Sequence, residues 1–305
     1  MAAMRPHLVH HPAYTVPLPA EHRFPMGKFA GLMAHLQAAG LAEADRLETP
    51  EPASPDILRH VHAPAYVAAV LGQSLSAQAE RRLGLPMTPP LALRSRAATA
   101  GTLLAARLAL AHGLACNTAG GSHHAFADAG SGFCVFNDVA VASAVLLAEG
   151  RVRNILVIDL DVHQGDGTAA IWQGDPRVFT LSLHCRANFP ARKQQGDLDV
   201  ALDAGTGDRD YLAVLHSLLP ALLQRLRPDL AFYNAGVDPH GEDRLGRLAL
   251  TDAGLAAREA FVLESCRRAG VPLACVVGGG YAPSLDALVA RHAILHRVAR
   301  DLAVW

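Results

Sequence analysis

The chain has 305 residues, 51% of them hydrophobic, so it can bury a large core, and its length allows one domain or two. Lys and Arg number 27 against 28 Asp and Glu, a formal net charge of -1, and there is no basic tract of the kind that follows nucleic acid. Five widely spaced cysteines without a C-x-x-C pair argue against a disulfide scaffold and for a reducing, cytoplasmic setting.

The first 25 residues are rich in Pro and His and predict irregular loop, with a short strand near Leu8 and Val9 and no apolar core of signal-peptide type. Phe29, Leu32, Met33 and Leu36 have helical spacing over 28–39, and Gly40 ends that helix. Ser54-Pro55 and Pro64 are helix starts. Residues 79–90, with Gly84, Pro86, Pro89 and Pro90, predict a loop that could border an entrance. A long helix is predicted over 94–112, closed by Gly113, and a glycine-rich stretch with adjacent His123 and His124 follows over 119–138. Asn137 or Asp138 caps a helix running to Glu149.

From Ala140 onward, strands are predicted at 155–158, 178–183, 228–234 and 272–277. Helices at 169–172, 211–226, 252–269 and 284–298 alternate with them, and a short alternating piece occurs at Leu198, Val200 and Leu202. This order predicts an α/β fold with a mostly parallel sheet covered on both faces, read as one domain over 1–305. No stretch reaches 18 uncharged apolar residues, so no membrane span is expected. The apolar fraction can all be core and requires no oligomer.

The stretch I-L-V-I-D-L-D-V-H-Q-G-D-G-T at 155–168 organises the chain. An apolar strand ends in Asp159, Asp161 and His163, which at period two share a face. Two carboxylates and an imidazole at a buried strand end call for a cation. Asp238 ends another strand and supplies a third ligand, so Asp161, His163 and Asp238 suit Zn²⁺ with an open position, or another divalent ion. His184 and Gly280-Tyr281 end further strands, whose tails can converge on one rim. His123 and His124 can divide proton removal and delivery, with Asp159 and Asp166 as spare carboxylates to orient them. The Tyr281 hydroxyl can donate to a developing oxyanion.

These motifs together resemble the histone deacetylase superfamily: G-G-S-H-H at 120–124, G-F-C-V-F-N-D at 132–138, D-L-D-V-H-Q-G-D-G at 159–167, N-A-G-V-D at 234–238 and G-G-G-Y at 278–281. Gln164, with Asn188-Phe189-Pro190 and the run 241–246, is similar to the class IV branch and its bacterial relatives. The resemblance implies the arginase–deacetylase fold with an eight-stranded sheet, and Zn²⁺ on Asp161, His163 and Asp238. It implies His123 paired with Asp159, His124 paired with Asp166 as the general base and acid, and Tyr281 polarising the acyl carbonyl. Gly132, Phe133, Phe189, Leu245, Gly279 and Gly280 match positions of the substrate tunnel. A monovalent cation, usually K⁺, would use Asp159, the carbonyls of Asp161, His163 and Leu183, and the Ser182 hydroxyl; a second such site would fall near Trp172, Asp175 and Val178. The implied reaction is hydrolysis of an acyl-lysine amide on a peptide or protein. Small acylated amines such as acetylpolyamines and a non-catalytic binding protein are the alternatives. The entrance loop offers Glu80 but no Asp to hold a peptide backbone.

Overall fold

Alternation along the strand Ile155–Asp159 sets the layers. Leu156 and Ile158 join one apolar cluster, Ile155 and Val157 the other. Such a strand is buried on both faces and needs cover on each. The computed structural model describes residues 6–19 and 21–302; the irregular N-terminal loop expected at 1–5 and 20, and the chain end at 303–305, lie outside the described residues.

The strands are β1 (His7–Val9), β2 (Leu47–Glu48), β3 (Leu114–Asn117), β4 (Ile155–Asp159), β5 (Val178–Cys185), β6 (Leu198–Leu202), β7 (Leu230–Asn234) and β8 (Leu273–Val276). They form one sheet in the order β2-β1-β3-β8-β7-β4-β5-β6. Every strand pairing among the described residues is parallel. The helices are α1 (Lys28–Ala38), α2 (Pro55–Leu58), α3 (Pro64–Leu71), α4 (Ala77–Leu83), α5 (Pro89–His112), α6 (Asp138–Ala148), α7 (Asp166–Trp172), α8 (Asp208–Leu226), α9 (Asp252–Ala269) and α10 (Leu285–Asp301). Residues of α1, α8, α9 and α10 build one cluster, and those of α6, α7 and the second half of α5 build the other.

Three local expectations need correction. The loop expected at 79–90 contains α4, and α5 begins at Pro89 instead of Arg94. Ser76 and Thr88 cap these helices by accepting the N–H groups of Ala79 and Leu91, and the prolines sit in the first turn of α5, where a missing N–H costs nothing. Strands β2 and β3 have two and four residues, too short for a visible period, and the sequence did not announce them. Finally, β4 stops at Asp159, so Asp161 and His163 stand on a bend. Side chains replace the ladder there: Asp159 Oδ1 accepts the Asp161 N–H, Asp238 Oδ1 that of Val162, and Asp161 Oδ1 that of His163. The bend, not the strand period, gathers these groups.

Candidate active site

The carboxyl ends of β3, β8, β7 and β4 bring the distant motifs together. Asn117 ends β3 and leads into the glycine-rich segment, whose backbone is fastened by Asp138. Its carboxylate accepts the N–H groups of Gly121 (3.1 Å) and Ser122 (2.7 Å). The segment delivers His123 and His124 with ring centroids 4.1 Å apart. His123 Nδ1–H donates to Asp159 Oδ2 at 2.6 Å, and His124 Nδ1–H donates to Asp166 Oδ1 at 2.6 Å. Asp166 therefore fixes the His124 tautomer and leaves its Nε2 with a lone pair, while Asp159 orients the His123 ring. Asn234 Nδ2 donates to the other oxygen of Asp159 at 2.9 Å.

The electrostatics separate the two imidazoles. Burial lowers the His123 pKa, but the Asp159 and Asp161 carboxylates outweigh burial and push it up to about 9. Burial and repulsion from His123 hold His124 down to about 4, against the pull of Asp166.

Asp161, His163 and Asp238 are buried and present ligand atoms within 4.8 Å of one another. His163 Nδ1 lies 2.9 Å from Asp161 Oδ1 and 3.1 Å from Asp238 Oδ2. The Asp238 oxygen nonetheless accepts no aligned hydrogen bond and is a buried, unpartnered acceptor. Burial and Asp161 push the Asp238 pKa up to about 7, against the pull of His163. An orphaned carboxylate oxygen converging with a second carboxylate and an imidazole fits a divalent cation with N/O preference. Gly279 is required beside it, because a Cβ there would stand 2.1 Å from Asp238 Oδ2.

Tyr281 follows the Gly278–Gly280 turn and is buried, with its ring centroid 6.4 Å from that of His163. Burial, then Asp238 and Asp161, raise its pKa well above the usual phenol value, so it stays a proton donor. A cavity of about 350 Å³ opens from these groups to the surface, lined among others by His124, His163, Tyr281, Phe133, Phe189 and Leu245. Phe133 holds a left-handed backbone (φ 68°), and its N–H donates to Leu83 O at the end of α4. Gly132 is needed in turn, since at its φ of +53° a Cβ would also lie 2.6 Å from His124 Cδ2. On the other wall Phe189 is 46% exposed and packs edge-on to His124. Gln164 clamps its loop, donating to Gln194 O and Asp199 Oδ1 and accepting the Gln194 N–H.

Asp159 and Ser182 are register partners on β4 and β5, with Leu183 next on β5. Gly280 stands behind Tyr281, where a Cβ would meet Val237 and Leu288. His184 does not join the cluster: its Nδ1 pairs with Ser182 Oγ at 3.0 Å. The Asp175 side chain is bound by Arg177.

Several contacts that shape the site escaped sequence reasoning. Asn188 bridges two loops, donating to Leu245 O at 2.6 Å and accepting the Arg247 N–H at 3.0 Å. His62 donates from Nδ1 to Phe126 O and accepts the Asn137 N–H on Nε2, bracing the glycine-rich segment. Lys28 is buried and donates to Gly278 O at 2.8 Å. Each is a single polar residue whose partner lies at least 57 positions away, beyond any local pattern.

An eight-stranded parallel sheet carrying this cluster at its carboxyl ends has the arginase–deacetylase fold. The profile of the histone deacetylase domain matches residues 22–296, and the chain belongs to the histone deacetylase family of hydrolases. It is 51% identical over 295 residues to an uncharacterised protein of Picosynechococcus, covering 97% of this chain and 98% of that one. It is 31% identical over 266 residues to a histone deacetylase-like amidohydrolase of Pseudomonas aeruginosa, covering 82% and 70%. A crystal structure of an HDAC homolog complexed with SAHA superposes with a TM-score of 0.83 at 26% identity, covering 97% of this chain and 84% of that one. No helix among the described residues is long and apolar enough to cross a membrane.

Proposed function

We propose that the chain is a single zinc-dependent catalytic domain, cytoplasmic, that hydrolyses the amide of an acyl-lysine side chain. The observation that carries this reading is convergence. Two His–Asp pairs, the Asp161–His163–Asp238 group and Tyr281 meet at the foot of one cavity walled by Phe133, Phe189 and Leu245. An apolar passage suits the aliphatic stem of an acylated lysine, and the polar foot suits its amide.

A zinc ion held by Asp161, His163 and Asp238, when bound, polarises the acyl carbonyl and makes water a better nucleophile. The remaining work falls to this chain's own groups. His124 reaches the cavity and His123 stands behind it, so His124 Nε2 takes the proton of the attacking water. Asp166 holds its Nδ1–H and steadies the imidazolium that forms. Tyr281 donates its phenolic proton in a hydrogen bond to the oxyanion. The His124 proton then passes to the leaving amine as the C–N bond breaks, while His123, on Asp159, assists electrostatically. K⁺ would sit where Asp159 meets Ser182, with the carbonyls of Asp161, His163 and Leu183 as further ligands.

The test is a hydrolysis panel on zinc-loaded protein, comparing peptides bearing acetyl-, butyryl-, octanoyl- and myristoyl-lysine with N-acetylputrescine. Turnover of an acylated peptide, with an optimum chain length, supports the reading. Preference for N-acetylputrescine would move the activity to small acylated amines, and no turnover with zinc bound would leave the fold and site intact and return the substrate to unknown.

A further inference from the structure

Four guanidinium groups stand at the mouth of the active-site cavity: Arg23, Arg81, Arg82 and Arg247. All four are exposed, and no ion pair engages any of them among the described residues. No Asp or Glu lines that cavity. Glu80, adjacent to the pair on α4, is turned away and accepts the Met87 N–H at 3.0 Å. Some other surface arginines are paired with acids close in sequence, as in Arg59–Asp56, Arg177–Asp175 and Arg267–Glu264. The mouth is therefore a local excess of four positive charges on a chain whose net charge is -1.

Their attachment spreads this charge over both walls. Arg82 lies 4.9 Å from the Phe126 ring, and its carbonyl accepts the Gly132 N–H. Arg23 lies 6.0 Å from the Phe133 ring. These two, with Arg81, belong to the Phe133 wall. Arg247 belongs to the Phe189 wall, through its N–H to Asn188 Oδ1. Planar guanidiniums held near aromatic faces keep their donor forks free for carboxylates.

We propose that this mouth selects an acylated lysine lying in an acidic peptide segment, with the four arginines binding carboxylates on both sides of that lysine. The proposal rests on the acyl-lysine reading above and names its substrate class. A cationic acylated polyamine would meet repulsion at the same mouth. A small acid with one carboxylate could use one wall only.

Three octanoyl-lysine peptides of equal length test it, flanked by Asp/Glu, by Ser/Gln or by Lys/Arg. Turnover by zinc-loaded protein and binding by fluorescence anisotropy are read on the same three peptides. We expect kcat/KM and affinity to fall from acidic to neutral to basic flanks, by roughly ten-fold or more at low salt. That ranking should shrink at about 1 M salt, where screening acts over about 3 Å. In Arg81→Glu/Arg82→Glu and in Arg247→Glu the ranking should invert, with unchanged melting temperature as the check on folding. Equal values for the three peptides at low salt would overturn the proposal and leave lysine deacylation standing. No turnover, with binding still ranked by charge, would overturn the deacylation and leave the acidic preference standing. A one-carboxylate acyl-amine that outbinds the acidic peptide would also overturn the peptide assignment.

Discussion

Asp243 holds Tyr281 by its backbone: Asp243 Oδ2 accepts the Tyr281 N–H at 2.6 Å. Its Oδ1 accepts the N–H groups of Leu245 at 2.8 Å and Gly246 at 2.9 Å. One carboxylate thus fixes both the phenol and a wall of the cavity. In Asp243→Asn one acceptor becomes a donor facing an N–H. A hydrogen bond to a charged group contributes about 1.5–3 kcal/mol. The variant should melt at a lower temperature, and turnover should fall by at least about ten-fold, since the phenol is no longer held in place. Wild-type turnover in a variant that melts lower would mean Asp243 serves stability alone.

Tyr281→Phe removes only the phenolic donor. If the hydroxyl stabilises the oxyanion, kcat should fall by about 10²–10³-fold. Zinc content by elemental analysis should stay at the wild-type level, because the phenol is not among the converging ligands. Zinc loss in proportion to activity would instead make Tyr281 a structural part of the metal site.

Metal removal should destabilise the fold. Asp161 and Asp238 are 1% and 0% exposed, and without a cation they repel each other in a buried setting. Chelation should lower the melting temperature and added Zn²⁺ restore it, with about 4 kcal/mol of stabilisation when free metal is 1,000 times its dissociation constant. A melting curve unmoved by verified removal of the metal would refute the expectation.

His62 gives the fold an acid-sensitive brace. Burial holds its pKa down to about 4, against an ordinary 6.5, so the folded state keeps it neutral. Between these values the unfolded chain binds the extra proton. This contribution is complete above about pH 6.5 and is lost as pH falls towards 4, by on the order of 3 kcal/mol. His62→Gln keeps an acceptor for the Asn137 N–H but does not titrate. Urea midpoints at pH 7.5 and 5 should therefore drop less in the variant than in the wild type. Burial also holds His10 and His184 down to about 4, so the comparison with the variant isolates His62. Identical pH slopes would mean that His62 is protonated as readily folded as unfolded.

The helices and longer strands from Asp138 onward follow from hydrophobic period and from caps such as Asn137, Thr251 and Ser284, because these signals are local. The grouping of Asp159, Asp161, His163, Asp238 and Tyr281 was legible as well, since ionisable residues at or just beyond the ends of buried parallel strands must share one rim, whereas the pairing of His123 with Asp159 and of His124 with Asp166 was implied by the family resemblance. Helix α4 was obscured by the glycine and prolines of 79–90, and β2 and β3 by their brevity.

What the sequence by itself determined is the set of chemical groups and the parallel direction of the strands from Ile155 onward. Beyond the His123–Asp159 and His124–Asp166 pairs that the family resemblance implied, tertiary structure decided which oxygen meets which nitrogen. The bend after Asp159, the grip of Asp243 on Tyr281 and the bridge through Asn188 each join residues distant in the chain, and nothing local specifies a partner that far away. The arginine-rich mouth is of the same kind: residues 23, 81, 82 and 247 become one positive surface only when packing fixes α4 against the Phe133 turn and ties the loop carrying Arg247 to Asn188.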